Sequence, residues 1–254
     1  MKKLLISLPI IIGVTVMGVA LAAENTCDLT SQYKVFAEAT QKPSYSSEDI
    51  QEELSARWAL LGATINCAQN DVDALRASVP DAENDQAELV RDRIMDSLNE
   101  AGRFYKLKEN SIKDQGIQGT KDLAKEIRAW RETNHENLAN KVRNFSVWNK
   151  NQNLFDKASD RLSQSQFVIN SLKLLETEDS QKLYYDAKSS LDVARELNRK
   201  AGDAIANGLS SDETLLLLKS SLETLSDTYK KFLAISGELT KVLPTEKTEA
   251  EEKN

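Results

Sequence analysis

The feature of this sequence that most restricts its fold is a stretch without glycine or proline, from residue 120 to residue 201. Glycine and proline are the residues that most strongly interrupt helices, so a stretch that lacks both favours helix. Apolar residues recur within it at helical spacing, beginning with Leu123, Ile127 and Trp130. The pattern predicts one helix over residues 120–175, on the order of 80 Å long at a rise of 1.5 Å per residue.

Glycine and proline elsewhere mark the ends of further helices. Pro80, Gly208 and Pro244 each follow an amphipathic segment, and Ser210 with Glu213 forms a capping-box pattern. Apolar residues in the second and last segments alternate spacings of four and three, which is a heptad seam. The predicted seam of the last helix consists of Leu215, Leu218, Leu222, Leu225, Tyr229, Phe232, Ser236, Leu239 and Leu243. No stretch shows the alternation of a strand, so the sequence predicts an all-α protein.

The helix lengths suggest how the protein is organised. Four predicted helices have about 30 residues, and the fourth in chain order is about twice as long, by the breakers that bound them. We therefore expect an elongated antiparallel helical bundle, in which two tandem three-helix bundles share one long central helix. Residues 23–149 would form the first bundle and residues 150–243 the second, followed by a disordered acidic tail at 244–254. The alternative is one compact bundle whose long helix breaks near Asn151.

The N-terminus has the composition of an export signal. Lys2 and Lys3 precede an apolar run over residues 4–23, which ends in the small-x-small pattern Ala20-Leu21-Ala22. The run is also long enough for a spanning helix, so an uncleaved membrane anchor is the alternative to a cleaved signal peptide over residues 1–22. Both alternatives predict an exported protein, periplasmic or extracellular.

Two cysteines, Cys27 and Cys67, are the only ones in the chain. In an exported protein a single pair is most simply explained as a structural disulfide. The two residues flank a predicted helical hairpin whose antiparallel return brings them to a similar level. The sequence therefore predicts a disulfide that staples the N-terminal hairpin.

Few residues suggest chemistry. His135 is the only histidine, and Glu132 precedes it by three residues, which is half of the paired motif that a carboxylate-bridged di-iron site requires. We expect no metal, no cofactor and no catalytic residues. Trp130 and Trp148 lie on the apolar stripe of the long helix, close to an asparagine-rich patch at residues 149–153. Aromatic residues on such a stripe usually face a core, and this is the interpretation that we favour. In the alternative interpretation, Trp130, His135, Trp148 and Asn151 form a candidate binding surface.

The net charge of the chain limits the classes of partner that we expect. The formal net charge is −7, and an acidic chain repels phosphate backbones, so nucleic acid is not expected. The membrane would be reached only through an uncleaved N-terminal helix. We expect a non-enzymatic exported helical bundle that acts through contacts with another envelope protein. The alternative is a ligand-binding or sensor-like module with a small-molecule site between helices.

Overall fold

The computed structural model describes residues 27–41, 46–171 and 178–242 and places six α-helices in them. They are α1 (Thr30–Thr40), α2 (Ser47–Ser78), α3 (Asp85–Ser111), α4 (Ile117–Ser171), α5 (Glu178–Asn207) and α6 (Ser211–Val242). A short 3₁₀ turn, Ile112–Asp114, links α3 to α4, and these three ranges contain no strand. The predicted all-α helical bundle is confirmed. The predicted leader at 1–22 and tail at 244–254 lie outside the described residues.

The long helix α4 is continuous over its 55 residues and passes through the asparagine-rich patch without a break. Thr120, where the predicted helix begins, lies inside α4 instead. Its backbone N–H donates to the carbonyl of Gly116, and its hydroxyl donates to the carbonyl of Ile117 at 2.7 Å. Because Thr120 is buried and finds its partners in the first turn, the helix begins three residues earlier than predicted.

Local signals set other helix ends as predicted. At the start of α6, the hydroxyl of Ser210 accepts from the backbone N–H of Glu213, which is the N-cap bond of the expected capping box. The Glu213 carboxylate accepts from the Ser210 hydroxyl. Gly208 ends α5 at a φ of +70°, a conformation that favours glycine. The short connection that follows makes α5 and α6 antiparallel neighbours.

Two hydrophobic clusters fill the bundle along α4. The larger cluster contains Ile65 of α2, Leu98 of α3 and Trp148 of α4, and it extends to Ile205 of α5 and Leu218 of α6. The smaller cluster lies among α4, α5 and α6 and includes Phe155, Leu191 and Leu225. Both clusters use side chains of α4, which contacts α2, α3, α5 and α6. The division into tandem bundles at residue 149 stays a prediction.

The buried face of α6 differs from the predicted seam. Its buried positions keep spacings of four and three but are Thr214, Leu218, Ser221, Leu225, Thr228, Phe232 and Ile235. Leu222 is only half-buried, and Leu215 and Ser236 are exposed, so the prediction was wrong at these three positions. The predicted seam positions Leu239 and Leu243 lie outside the residues whose side chains the structure describes. The hydroxyls of Ser221 and Thr228 donate to carbonyls of α6 itself. Ser221 and Thr228 can therefore face the alanine-rich side of α5 with their hydroxyls paired, whereas the buried hydroxyl of Thr214 has no hydrogen-bond partner among the described residues.

None of the described helices combines the length and apolar character that crossing a membrane requires.

Candidate functional site

The structure places Trp148 in the centre of the bundle, where its side chain is fully buried. Its indole N–H donates to the backbone carbonyl of Asn198 at 2.9 Å. The Asn198 amide in turn bonds the side chain of Gln152 at 2.9 Å, so α4 and α5 are joined by a buried polar network. Trp148 thus lies in the core and offers no exposed face to a ligand in this structure.

The asparagine-rich patch has a structural role at Asn149, which is buried. Its side chain accepts from the backbone N–H of Glu83 at 2.9 Å and donates to the carbonyl of Asp81 at 2.7 Å. It therefore fixes the loop between α2 and α3 against α4. Asn151, the predicted surface residue, is half-buried and donates to the carbonyl of Val147 one turn earlier in α4.

Trp130 lies against aromatic residues of α3. Its ring stacks on Phe104, with 4.5 Å between ring centroids, and meets Tyr105 edge to face at 5.1 Å. Such pairs contribute about 0.5–1.5 kcal/mol beyond the area that they bury. Trp130 is only half-buried, and it joins α3 to α4 near the position of His135.

His135 belongs to a polar cluster among α2, α3 and α4. Desolvation lowers the pKa of His135, the nearby Arg131 guanidinium lowers it further, and the Asp71 carboxylate opposes the shift. Arg131 and Asp71 form an ion pair at 2.8 Å. The imidazole Nδ1 and the Tyr105 hydroxyl are buried and have no hydrogen-bond partner in the ranges that the structure describes. Burial raises the pKa of Tyr105. Glu132 does not join this cluster, since it pairs with Arg128 at 2.7 Å.

The predicted disulfide joins Cys27 to Cys67, with 5.7 Å between their Cα atoms. It ties the chain just before α1 to the middle of α2. Phe36 of α1 lies under the Arg57 guanidinium, 5.0 Å from the ring centroid. These two contacts show that α1 runs antiparallel to α2, as the hairpin prediction required.

A groove of about 570 Å³ lies between α1, α2 and α4. Its lining includes Phe36 of α1, Leu60 and Leu61 of α2, and Ala124 and Ile127 of α4. Trp58 of α2 bonds the carbonyl of Gln115, and Asp71 pairs with Arg131, so α2 and α4 run in the same direction. We call this feature the α1–α2–α4 groove. Its floor is apolar and its walls are formed by helices.

The charged residues that line the groove are mostly basic. They are Arg57, Lys121, Arg128, Arg131 and Glu132. Arg57 is held by Glu53 at 2.6 Å, and the side chains of this pair are 13% and 8% exposed. The basic lining contrasts with the net charge of −7 of the whole chain. A second depression, of about 650 Å³, runs along α5 and is lined by residues of that helix alone.

Sequence reasoning did not identify the α1–α2–α4 groove. The predicted heptad seam of α2 passes through Trp58, Leu61 and Ile65 and omits Leu60, whose side chain lines the groove. Consecutive apolar residues such as Leu60 and Leu61 make the apolar stripe wider than one seam. A wider stripe indicates that the helix has a second contact face. The predicted disulfide contributes to the groove because it fixes α1, which forms one of its walls.

Comparison with protein-family models, with curated protein sequences and with solved structures gives no match for this chain. The function is therefore argued from the geometry of the chain itself.

Proposed function

We propose that the protein is an exported, non-enzymatic helical bundle that acts through protein–protein contacts in the cell envelope, and that the α1–α2–α4 groove is its docking surface. The observation that carries the proposal is the apolar floor of the groove, bounded by helices on both sides. Grooves of this form are a recurring mode by which proteins accept a partner. Export is supported by the signal-like N-terminus and by the disulfide.

The groove is held in place from both ends of α1, which favours recognition without rearrangement. The disulfide anchors the chain at the start of α1, and the contact of Phe36 with Arg57 anchors its second half. Arg57 is itself fixed by the shielded Glu53 carboxylate. A wall that is already ordered lowers the entropy that a partner must lose on binding.

The alternative, a small-molecule site between helices, was predicted near Trp130 and Trp148. Trp148 is enclosed by the core, and Trp130 is stacked on Phe104. The open concavity lies instead between α1 and α4, where its length along α4 suits a partner's backbone better than a compact ligand. The protein-contact proposal therefore has the greater support.

Site-specific photo-crosslinking in the producing cell tests the proposal. A photoreactive phenylalanine analogue replaces Ala124, which lines the groove, or Ala129, an equally exposed alanine on α4 outside the groove. We expect a protein adduct of defined mass from residue 124 and none from residue 129. Absence of an adduct at 124, or the same adducts from both positions, would overturn the proposal.

A further inference from the structure

We infer that the occupant of the α1–α2–α4 groove is an amphipathic α-helix of a partner protein, with carboxylates along the flank that faces α4. This inference rests on the proposed docking role of the groove. Lining residues of α4 run from Thr120 to Glu132, a length of about 18 Å at 1.5 Å per residue. That length corresponds to about three turns of a bound helix.

The shape of the groove fits a helix. Its walls are α1 and α4, and its floor is α2. The half-buried Leu60 and the largely buried Leu61 line it from α2, and the largely buried Ile127 lines it from α4. A partner helix that lies along this floor would complete a layer between α1 and α4. Its apolar residues at positions i, i+3, i+4 and i+7 would contact the floor, as in other helix-in-groove complexes.

The positive charges on the wall formed by α4 determine which charge the adjacent flank of the partner helix should carry. Lys121 makes no ion pair within the part of the chain that the structure describes. Arg128 pairs only with Glu132, and their side chains are 80% and 62% exposed. An ion pair so exposed contributes little, so Arg128 can exchange Glu132 for a partner carboxylate at small cost.

The spacing of these two cations sets a register. Lys121 and Arg128 are seven residues apart on α4, which places them two turns, or about 10.5 Å, apart on nearly the same face. In a partner helix that runs along α4, two side chains seven residues apart are separated by the same distance as Lys121 and Arg128. The partner therefore carries Asp or Glu at positions seven apart, beside its apolar face.

Two synthetic 16-residue helical peptides test this inference by fluorescence anisotropy with the whole mature protein. Both carry leucines on one face, and they differ only in two flank positions seven apart, which are glutamates in one peptide and lysines in the other. We expect the glutamate peptide to bind, with an affinity that falls as salt is raised. The double substitution Lys121→Glu and Arg128→Glu should lower that affinity at least tenfold and should permit binding of the lysine peptide.

The chain offers a matched control in Lys150 and Lys157, which are exposed, seven residues apart on α4 and outside the groove. Lys150→Glu with Lys157→Glu changes the net charge by the same amount and should leave peptide affinity unchanged. Circular dichroism and urea midpoints check that both double variants fold. Equal binding of the two peptides, binding of neither, or equal losses in the two double variants would overturn the inference.

Two further measurements separate the inference from the proposed function. If the adduct at residue 124 forms unchanged in the Lys121→Glu and Arg128→Glu chain, the groove docks a protein but charge does not select it. If residue 124 gives no adduct in the wild-type chain, the docking role itself fails. Oleate serves as an anionic amphiphile probe: charge-dependent binding of oleate together with no binding of the glutamate peptide would assign the groove to a lipid-like ligand instead.

Discussion

Gly202 of α5 lies so close to Trp148 of α4 that a methyl group at residue 202 would stand 2.7 Å from Cζ2 of the indole. One turn earlier in α5, the carbonyl of Asn198 accepts the indole N–H. The glycine therefore lets the ring lie against the helix while its polar atom stays paired. This contact joins α4 to α5 within the larger hydrophobic cluster.

Gly202→Ala is expected to destabilise the protein by about 1–3 kcal/mol, the usual cost of forcing extra volume into a packed core. The reason is that Trp148 is fully buried and cannot move away from the new methyl group. Helix propensity alone would favour alanine by about 1 kcal/mol. Urea unfolding followed by circular dichroism measures the change.

The matched control for Gly202 is Gly62 in α2, where the nearest atom to an added methyl group is a side-chain carbon of Ile112 at 3.9 Å. That distance is ordinary van der Waals contact, so Gly62→Ala should stabilise by up to about 1 kcal/mol. The same sign of effect at both positions would contradict the close packing of Trp148 against α5.

The reassigned face of α6 gives a second prediction. Leu225→Ala should cost about 2–5 kcal/mol, the range for buried leucines, because Leu225 lies in the smaller hydrophobic cluster. Leu222→Ala should cost clearly less, since Leu222 is only half-buried. Glu223→Ala should stay within about 0.5 kcal/mol, as surface changes usually do. Urea unfolding of the three variants gives the order, and a larger loss for Leu222 than for Leu225 would restore the original seam.

The comparison of α6 with its prediction shows what the sequence encodes and what it does not. The start of α6 follows from the N-cap Ser210, and the end of α5 follows from Gly208; both signals act within a few residues. Which face is buried depends on the neighbour, because Ser221 and Thr228 pack inward once their hydroxyls bond their own helix. A seam chosen by leucine content alone therefore has the correct spacing, but it assigns Leu215 and Leu222 to the buried face of α6.

The candidate site was less predictable for a related reason. The disulfide could be inferred because only two cysteines are present. The α1–α2–α4 groove arises from the position of α1, which contacts α2 and leaves a space beside α4. The position of α1 depends on tertiary packing, and no short sequence motif predicts it. For Trp148, by contrast, the apolar stripe favoured the core, and the structure places it there.

The disulfide provides a third prediction. Replacing both Cys27 and Cys67 by serine should lower the unfolding free energy by up to about 4 kcal/mol on the chain-entropy model, given the loop that the bond closes. The helices that do not depend on the bond should keep their circular dichroism signal at low temperature. Because α1 loses its anchor, the photo-adduct at residue 124 should weaken as well. An unchanged denaturation midpoint would show that the bond does not hold α1 in place.

The last prediction concerns pH and His135. Burial lowers the pKa of this imidazole, and the Arg131 guanidinium adds to the effect, whereas Asp71 on α2 opposes it. Tyr105 contributes the neutral hydroxyl that faces the cluster from α3. A histidine whose pKa is lower in the folded state than its unfolded value of about 6.5 binds protons more readily when unfolded. Stability is therefore greatest above the unfolded pKa and decreases as pH falls through it toward the folded pKa.

His135 is the only histidine in the chain, so one substitution isolates this contribution. The difference in unfolding free energy between the wild-type protein and His135→Gln should shift against the wild type between pH 8 and pH 5, while carboxylate titrations common to both proteins cancel. Titration of the single imidazole by NMR should give a midpoint below 6.5, the ordinary value for histidine. A midpoint at that value would remove the pH dependence of the stability difference. A midpoint above it would mean that Asp71 dominates over burial and Arg131, and the stability difference would then change with pH in the opposite direction.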